Sequence, residues 1–286
     1  GGTDVEPYVS KYGGLCINLA INLRQKFTLY TDDNLFDISD NKVPLGCSLN
    51  FVYAFRESFG INSMHYSRFD SDCDEIIESG IGSSAAAGVA MVTAMSLSQG
   101  ITLSRDEIAQ RAWQIETQDL KFYGGRQDQY ASAHGGLNAF EFVDGRVFTT
   151  SYSRKVIDKL LPALVLFHMK ETRKSSTIQE NFKQLTSKQK NALDYVKRSA
   201  ILALEPLNEG DIKKLGQLLD ESWQYKKLSN KDVTTPRIDE IYAHAKKHGA
   251  YGGKVCGAGG GGFIFFMIDP LKRNEFIEKM ENFGLE

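Results

Sequence analysis

Two carboxylates, Glu116 and Asp128, and two adjacent serines, Ser83 and Ser84, are the residues whose types and spacing could carry chemistry. The serines belong to the stretch Glu78-Ser79-Gly80-Ile81-Gly82-Ser83-Ser84-Ala85-Ala86-Ala87-Gly88-Val89. Gly80 and Gly82 free the backbone for a tight turn and for close approach to a ligand. Ser83 and Ser84 then stand where a helix starts, and the first N–H groups of a helix have no internal partners while its dipole favours an anion. A glycine loop with hydroxyls at its tip is therefore a phosphate cradle. The same residues also fit a serine cap on a core helix, which needs one serine and one glycine. No Gly-Lys-Ser/Thr ending follows, so the stretch is not a P-loop. Residues 85–97 are apolar on nearly every face, and the helix they form is expected to be buried.

Glu116 follows a second helix start. Ser104 with Glu107 three residues on is a capping box, and Ile108, Ala112 and Ile115 mark the buried side, with Glu116 on the same stripe. A carboxylate facing inward needs a partner, a metal or a function. Asp128 lies in Phe122-Tyr123-Gly124-Gly125-Arg126-Gln127-Asp128-Gln129-Tyr130, a glycine turn followed by a dense polar cluster. Taken singly, each carboxylate is more commonly a member of a structural ion pair than a catalyst. His134, beside two glycines, reads as a loop histidine with no assigned role. The tract Gly257-Ala258-Gly259-Gly260-Gly261-Gly262 sits just before a strongly apolar strand, which favours a folded turn with unusual backbone angles over a linker. Lys174-Ser175-Ser176 reads as an ordinary helix start or a ligand site. Asp70-Ser71-Asp72-Cys73-Asp74-Glu75 is not a calcium loop, because the sixth-position glycine is missing and Ile81 occupies the twelfth.

These residues need a large frame to position them. At 286 residues the chain can bury a sizeable core in one large or two medium domains. A net charge of −2 gives no reason to expect a nucleic-acid or membrane partner. No apolar run reaches membrane-span length and no signal peptide is visible. Cys16, Cys47, Cys73 and Cys256 lack metal-ligand spacing, so a cytoplasmic protein with reduced thiols is the economical reading. Opening at Gly1, directly in a Gly-Gly-Thr-Asp turn, suggests that a strand precedes the given sequence. Residues 1–12 read as a loop, alternation over residues 15–30 predicts one long strand, and helical spacing is expected over 47–59, ended by Gly60. A short strand is expected over 64–69. Asp144-Gly145 between two strands is a hairpin signal. Beyond 152 come a buried strand over 162–168, a long helical region reaching 204, helices over 211–223 and 236–247, a strand over 263–268 and a last helix ending near 283.

Taken in order, Gly-Gly-Thr-Asp, Gly-Ile-Gly-Ser-Ser-Ala-Ala, Gly-Gly-Arg-Gln-Asp-Gln-Tyr and Lys-Val-Cys-Gly-Ala-Gly-Gly-Gly-Gly-Phe resemble the GHMP small-molecule kinases over essentially the whole chain. The wording Gly2-Thr3-Asp4-Val5-Glu6-Pro7-Tyr8 with Gly124 to Tyr130 looks most like the D-glycero-D-manno-heptose 7-phosphate kinases, with the fucokinases close behind. Ile77-Glu78-Ser79 departs from the family's Pro-Pro-Gly at that point. The resemblance implies a two-domain α+β fold: a ribosomal-protein-S5-like N-terminal domain over 1–152 and a ferredoxin-like C-terminal domain with extra helices over 153–286. It implies that Gly80, Gly82, Ser83, Ser84 and Ala85 wrap the ATP phosphates, with Gly257, Gly259 and Gly260 closing the far side. Ser84 and Glu116 would hold Mg²⁺. Asp128 would act on the attacking sugar hydroxyl, while Asp4 and Gly125 would contact the sugar. The expected reaction is transfer from ATP to the anomeric C1 hydroxyl of a phosphorylated heptose, whose distal phosphate Arg173, Lys174 and Ser175 would grip. Expected partners are ATP and a sugar or sugar phosphate, and the oligomeric state is left open. Another sugar-1-kinase such as a fucokinase, a non-catalytic sugar sensor and a purely structural α+β domain are the competing readings.

Overall fold

A computed structural model describes residues 2–29, 49–61, 67–71, 80–170, 182 and 184–286. In chain order these form α1 (Tyr8–Tyr12), β1 (Gly14–Leu19), β2 (Gln25–Leu29), α2 (Leu49–Ser58), β3 (Ser67–Ser71) and α3 (Ser83–Ser98). Next come α4 (Arg105–Gln114), α5 (Gln127–His134), β4 (Leu137–Val143), β5 (Arg146–Ser151), α6 (Arg154–Leu160) and β6 (Leu164–His168). The last part holds α7 (Ser187–Leu202), α8 (Leu204–Glu209), α9 (Ile212–Ser229), α10 (Pro236–Lys247), β7 (Gly252–Val255), β8 (Phe263–Met267) and α11 (Arg273–Glu281). The fold is α+β. Contacts divide the chain into one unit of Gly1–Leu19, Glu78–Ile81 and Gly136–Glu286, and another of Ala20–Ile77 and Gly82–Gly135.

The second unit is built around α3. Its Ala87, Met91, Val92 and Met95 pack with Phe51, Val52 and Phe55 of α2 and with Ala112 and Ile115. The small residues let neighbours approach closely, and Leu97 at the far end is exposed. Strands β2 and β3 pair antiparallel, with Phe27 opposite Phe69. The Ser104–Glu107 capping box forms as expected, each side chain bonding the other residue's backbone N–H. Beyond α4 the chain does not continue as an α-helix: Ile115–Asp119 makes a π-helical turn.

The first unit holds two antiparallel sheets, in the orders β1-β4-β5 and β6-β8-β7. The turn at Asp144 and Gly145, both with positive φ, joins β4 to β5 as the hairpin signal predicts. Central β8 is buried in a core with Trp223 of α9, Ile238, Ile241 and Tyr242 of α10, and Phe276 of α11.

Three local expectations are corrected. The long strand expected over 15–30 is two strands, because β1 pairs with β4 while β2 pairs with β3 in another sheet. The strand expected as buried over 162–168 is the sheet-edge strand β6, over 164–168, with Leu166 exposed. The segment read as loop before residue 13 contains α1. Among the described residues no helix is long and apolar enough to cross a membrane. Cys16 is a buried free thiol; Cys47 and Cys73 lie outside the described residues.

Candidate active site

In the second unit the site grows from the start of α3. The residue at the helix N-cap is Gly82, in the left-handed region at φ 80°, and no side chain caps the helix. The serine-cap reading is therefore replaced: Ser83 and Ser84 are the first two helical residues, and Ser84 is exposed. The first intrahelical bond runs from the Ala86 N–H to the Gly82 carbonyl. The N–H groups of Ser83, Ser84 and Ala85 thus have no bond within the helix and lie at its positive end.

The left-handed backbone explains the glycine at 82, and Asp128 lies beside it. A Cβ built there would stand 3.4 Å from Asp128 Cβ and 3.5 Å from its Cγ. Asp128 is the second residue of α5, so the polar cluster read from the sequence is a helix start. Its approach is braced upstream, where Arg126 stacks over the Trp113 ring at 4.1 Å and the Trp113 indole N–H donates to the Gly124 carbonyl at 3.4 Å. Gly125 is half-buried in that approach.

Glu116 is 7% exposed. Its inward direction was expected from an α-helical stripe; it is the π turn that provides it. Such turns recur at functional sites. A Cβ on Gly88 would lie 3.0 Å from Glu116 Oε1, and Gly88 is one helical turn from Ser84 on the same face of α3. Burial pushes the Glu116 carboxyl up to about 7; a hydrogen bond from Gln129 works against this and the charge of Asp128 adds to it. No cation is among the causes of the Glu116 shift. Glu116 Oε1 and Gln129 Oε1 are both buried acceptors without a hydrogen-bond partner. A hard cation satisfies such oxygens, so the residues present fit Mg²⁺. No cluster of three or more His, Cys, Asp and Glu side chains occurs among the described residues, which leaves most of such an ion's shell to phosphate oxygens and water. Sequence reasoning missed Gln129; its signal was its place beside Asp128.

In the first unit, Gly80 and Gly257 meet backbone to backbone. A Cβ on Gly257 would lie 2.7 Å from the Gly80 carbonyl oxygen, and one on Gly80 would lie 3.0 Å from the Cys256 carbonyl oxygen. The tract of 257–262 joins β7 to β8, neighbours in one sheet, so it is a folded turn. Positive φ occurs at Gly257, Gly259 and Gly260, and the Gly260 N–H donates to the Val233 carbonyl at 2.8 Å. Asp4 is buried at 7% exposure, on a segment tied to β1 by the Thr3 N–H to Leu15 carbonyl bond. Arg173, Lys174 and Ser175 lie outside the described residues.

The family model described as "GHMP kinases N terminal domain" matches residues 48–136, and "GHMP kinases C terminal" matches 203–285. A D-glycero-alpha-D-manno-heptose 7-phosphate kinase of Campylobacter jejuni is 32% identical over 98% of this chain and 89% of its own length. The chain belongs to the GHMP kinases. It is a phosphotransferase with an alcohol group as acceptor, a sugar kinase of that family. Among solved structures, a D-glycero-D-manno-heptose 1-phosphate kinase from Bacteroides thetaiotaomicron matches with a TM-score of 0.70 at 26% identity, covering 99% of this chain and 88% of that one. A Lactococcus lactis galactokinase matches with the same TM-score at 15% identity, over 98% of this chain and 86% of that one, and shows the shared fold alone. GHMP kinases use ATP and generally Mg²⁺.

Proposed function

We propose that this GHMP kinase transfers the γ-phosphoryl group of ATP to the anomeric C1 hydroxyl of D-glycero-D-manno-heptose 7-phosphate. The observation that carries a phosphoryl-transfer role is the place of Asp128 beside Gly82 at the uncapped start of α3. It sets a carboxylate beside backbone N–H groups suited to phosphate oxygens. The choice of acceptor rests on the Campylobacter jejuni relative, whose name specifies heptose 7-phosphate; the Bacteroides thetaiotaomicron structure, named for a heptose 1-phosphate, supports the heptose class alone.

Phosphoryl transfer depends mainly on positioning and on neutralising charge. The N–H groups of residues 83–85 and the Ser83 hydroxyl take phosphate oxygens in this scheme, and Gly80, Gly257, Gly259 and Gly260 let backbone approach where side chains would block it. Ser84 Oγ and Glu116 hold Mg²⁺, which when bound offsets charge on the phosphates. Gln129 keeps the Glu116 carboxylate oriented by its hydrogen bond. Asp128 accepts the hydrogen bond of the attacking hydroxyl and takes its proton as the new bond to the γ-phosphorus forms, while the bond from that phosphorus to the β–γ bridging oxygen breaks and ADP leaves. Asp4 and Gly125 contact the sugar, and the segment of Arg173, Lys174 and Ser175 supplies cation and hydroxyl groups for the distal phosphate.

The test is turnover with ATP and Mg²⁺ across heptose 7-phosphate, free heptose, fucose, galactose and mevalonate, with the product read by ³¹P NMR. An anomeric phosphate on heptose 7-phosphate is the expected outcome. Preferred turnover of free fucose, or no transfer to any sugar phosphate, overturns the reading.

A further inference from the structure

In the first unit the seat of the short helix α1 decides where the neighbouring Asp4 stands. Its five residues, Tyr8–Tyr12, are too few for a helix to persist on propensity, so α1 takes its place from tertiary contacts. Those contacts come from one face of α7, at positions 190, 194 and 197, four and three residues apart on a helix. Tyr8, 1% exposed, donates its hydroxyl to Asp194 Oδ1 at 2.7 Å. Lys190 donates to the other oxygen of Asp194 at 2.7 Å and lies over the Tyr12 ring at 4.7 Å. Lys197 donates at 2.6 Å to the Tyr12 carbonyl, one of those that a helix end leaves without an internal partner. Partial burial works to raise the Asp194 carboxyl, but the hydrogen bonds of Lys190 and Tyr8 outweigh it and hold it below its ordinary value. Bonds to such an ionised group are strong and fix geometry.

Asp4 lies between this helix and strand β1. Upstream, the Thr3 N–H donates to the Leu15 carbonyl at 3.2 Å, and the Leu15 N–H donates to Thr3 Oγ1 at 3.3 Å. Downstream, the Val9 N–H of α1 donates to the Val5 carbonyl at 2.9 Å, and Val5 packs with Tyr8, Phe182 and Leu193. One side of Asp4 is therefore fixed by the β1 backbone and the other by the seat of α1. Apolar packing around Tyr8 sets how close α1 comes to α7, whereas the Tyr8–Asp194 bond sets how it is turned. Turning α1 moves Val5 and swings the Asp4 carboxylate.

We propose that Tyr8 and Asp194 are positioning residues that act through Asp4 and set the affinity for the acceptor sugar. This rests on the reading of Asp4 as a sugar contact. Tyr8 is too buried to meet a ligand itself. Its hydroxyl needs only one partner; the further contacts of Lys190 and Lys197 with Tyr12 hold the orientation of α1 as well.

Tyr8→Phe keeps the ring in its cluster and removes only the hydroxyl, while Asp194→Ala removes the acceptor. Each should raise KM for heptose 7-phosphate on the order of tenfold, because small misplacements of a binding group are costly, with KM for ATP unchanged. The two changes together should cost no more than either alone. Asp194→Asn, which still accepts from Tyr8, should recover most of the loss. The decisive background is Asp4→Asn, which should itself raise KM for the sugar; adding Tyr8→Phe to it should raise KM no further. A fall in melting temperature with both KM values unchanged makes the pair purely structural and overturns the proposal. So does a Tyr8→Phe effect that persists in full on Asp4→Asn. The two readings fail separately. An unchanged KM in Asp4→Asn removes the sugar contact and the positioning role with it; a raised KM there, with none in Tyr8→Phe, removes the positioning role alone. If the wild type turns over another sugar of the panel instead, the same comparisons are read on that sugar.

Discussion

Gly82 and Asp128 are neighbours: a Cβ built on the glycine would stand in ordinary van der Waals contact with the Cβ and Cγ of the aspartate, at 3.4 and 3.5 Å. The start of α3 and the start of α5 therefore lie side by side, and the first N–H groups of α3 and the proposed base belong to one unit.

Asp128→Asn is expected to lower kcat on the order of 10²-fold or more while ATP binding persists, because the amide keeps the contact with Gly82 and loses the proton acceptor. Single-turnover kinetics with a nucleotide-binding titration check this. Turnover within a few-fold of wild type would remove Asp128 from the chemistry.

Glu116 makes stability depend on pH. Its folded value of about 7 lies above the ordinary 4.5, so between those limits the folded chain holds a proton that the unfolded chain releases. The stability this gives is present below about 4.5 and lost as pH rises through about 7, by roughly 3 kcal/mol for a shift of this size. Mg²⁺ needs the carboxylate and should bind more tightly across the same rise. Glu116→Gln is expected to flatten the pH dependence of metal-free melting and to weaken the Mg²⁺ response. Melting scans from pH 4.5 to 8, with and without Mg²⁺, decide it; an unchanged pH slope in the variant refutes the assignment.

Gly257→Ala should cost about 2 kcal/mol or more, since φ of 59° is strained for alanine and the new Cβ would meet the Gly80 backbone. Gly249→Ala is the control, with a positive φ of 99° and no atom within 4 Å of a built Cβ. Denaturant melts should show the larger loss at 257, accompanied there alone by weaker ATP binding. Equal losses would reduce the glycine turn to backbone strain.

What the sequence showed follows from how local each cause is. The Ser104–Glu107 box and the Asp144-Gly145 turn depend on residues within one turn of each other, and both form as expected. The break between β1 and β2 depends on which distant strand each one pairs with, so alternation alone ran through it. Strand β7 was hidden because Gly252 and Gly253 carry no side chain to alternate; α9 packs too closely on Gly252, and Phe265 and Phe266 of β8 on Gly253, to allow one. The inward direction of Glu116 was legible, but the π turn that creates it was not, since the same residues also fit an α-helical stripe.

Gly88→Ala probes the proposed metal site without touching a ligand. An alanine in mid-helix is favoured over glycine by about 1 kcal/mol. Here its Cβ would lie 2.9 Å from Phe55 Cζ and 3.0 Å from Glu116 Oε1, and overpacking of this kind costs about 1–3 kcal/mol. The two effects largely offset, so the melting temperature should fall only modestly. The function should respond more, because the methyl group and the Glu116 carboxylate compete for one space a helical turn from Ser84. The expected result is a Mg²⁺ requirement raised several-fold with the KM for sugar unchanged. Mg²⁺-dependent kinetics alongside melting curves test it. A variant that melts much lower yet keeps the wild-type Mg²⁺ requirement would show that Gly88 serves packing against Phe55 alone.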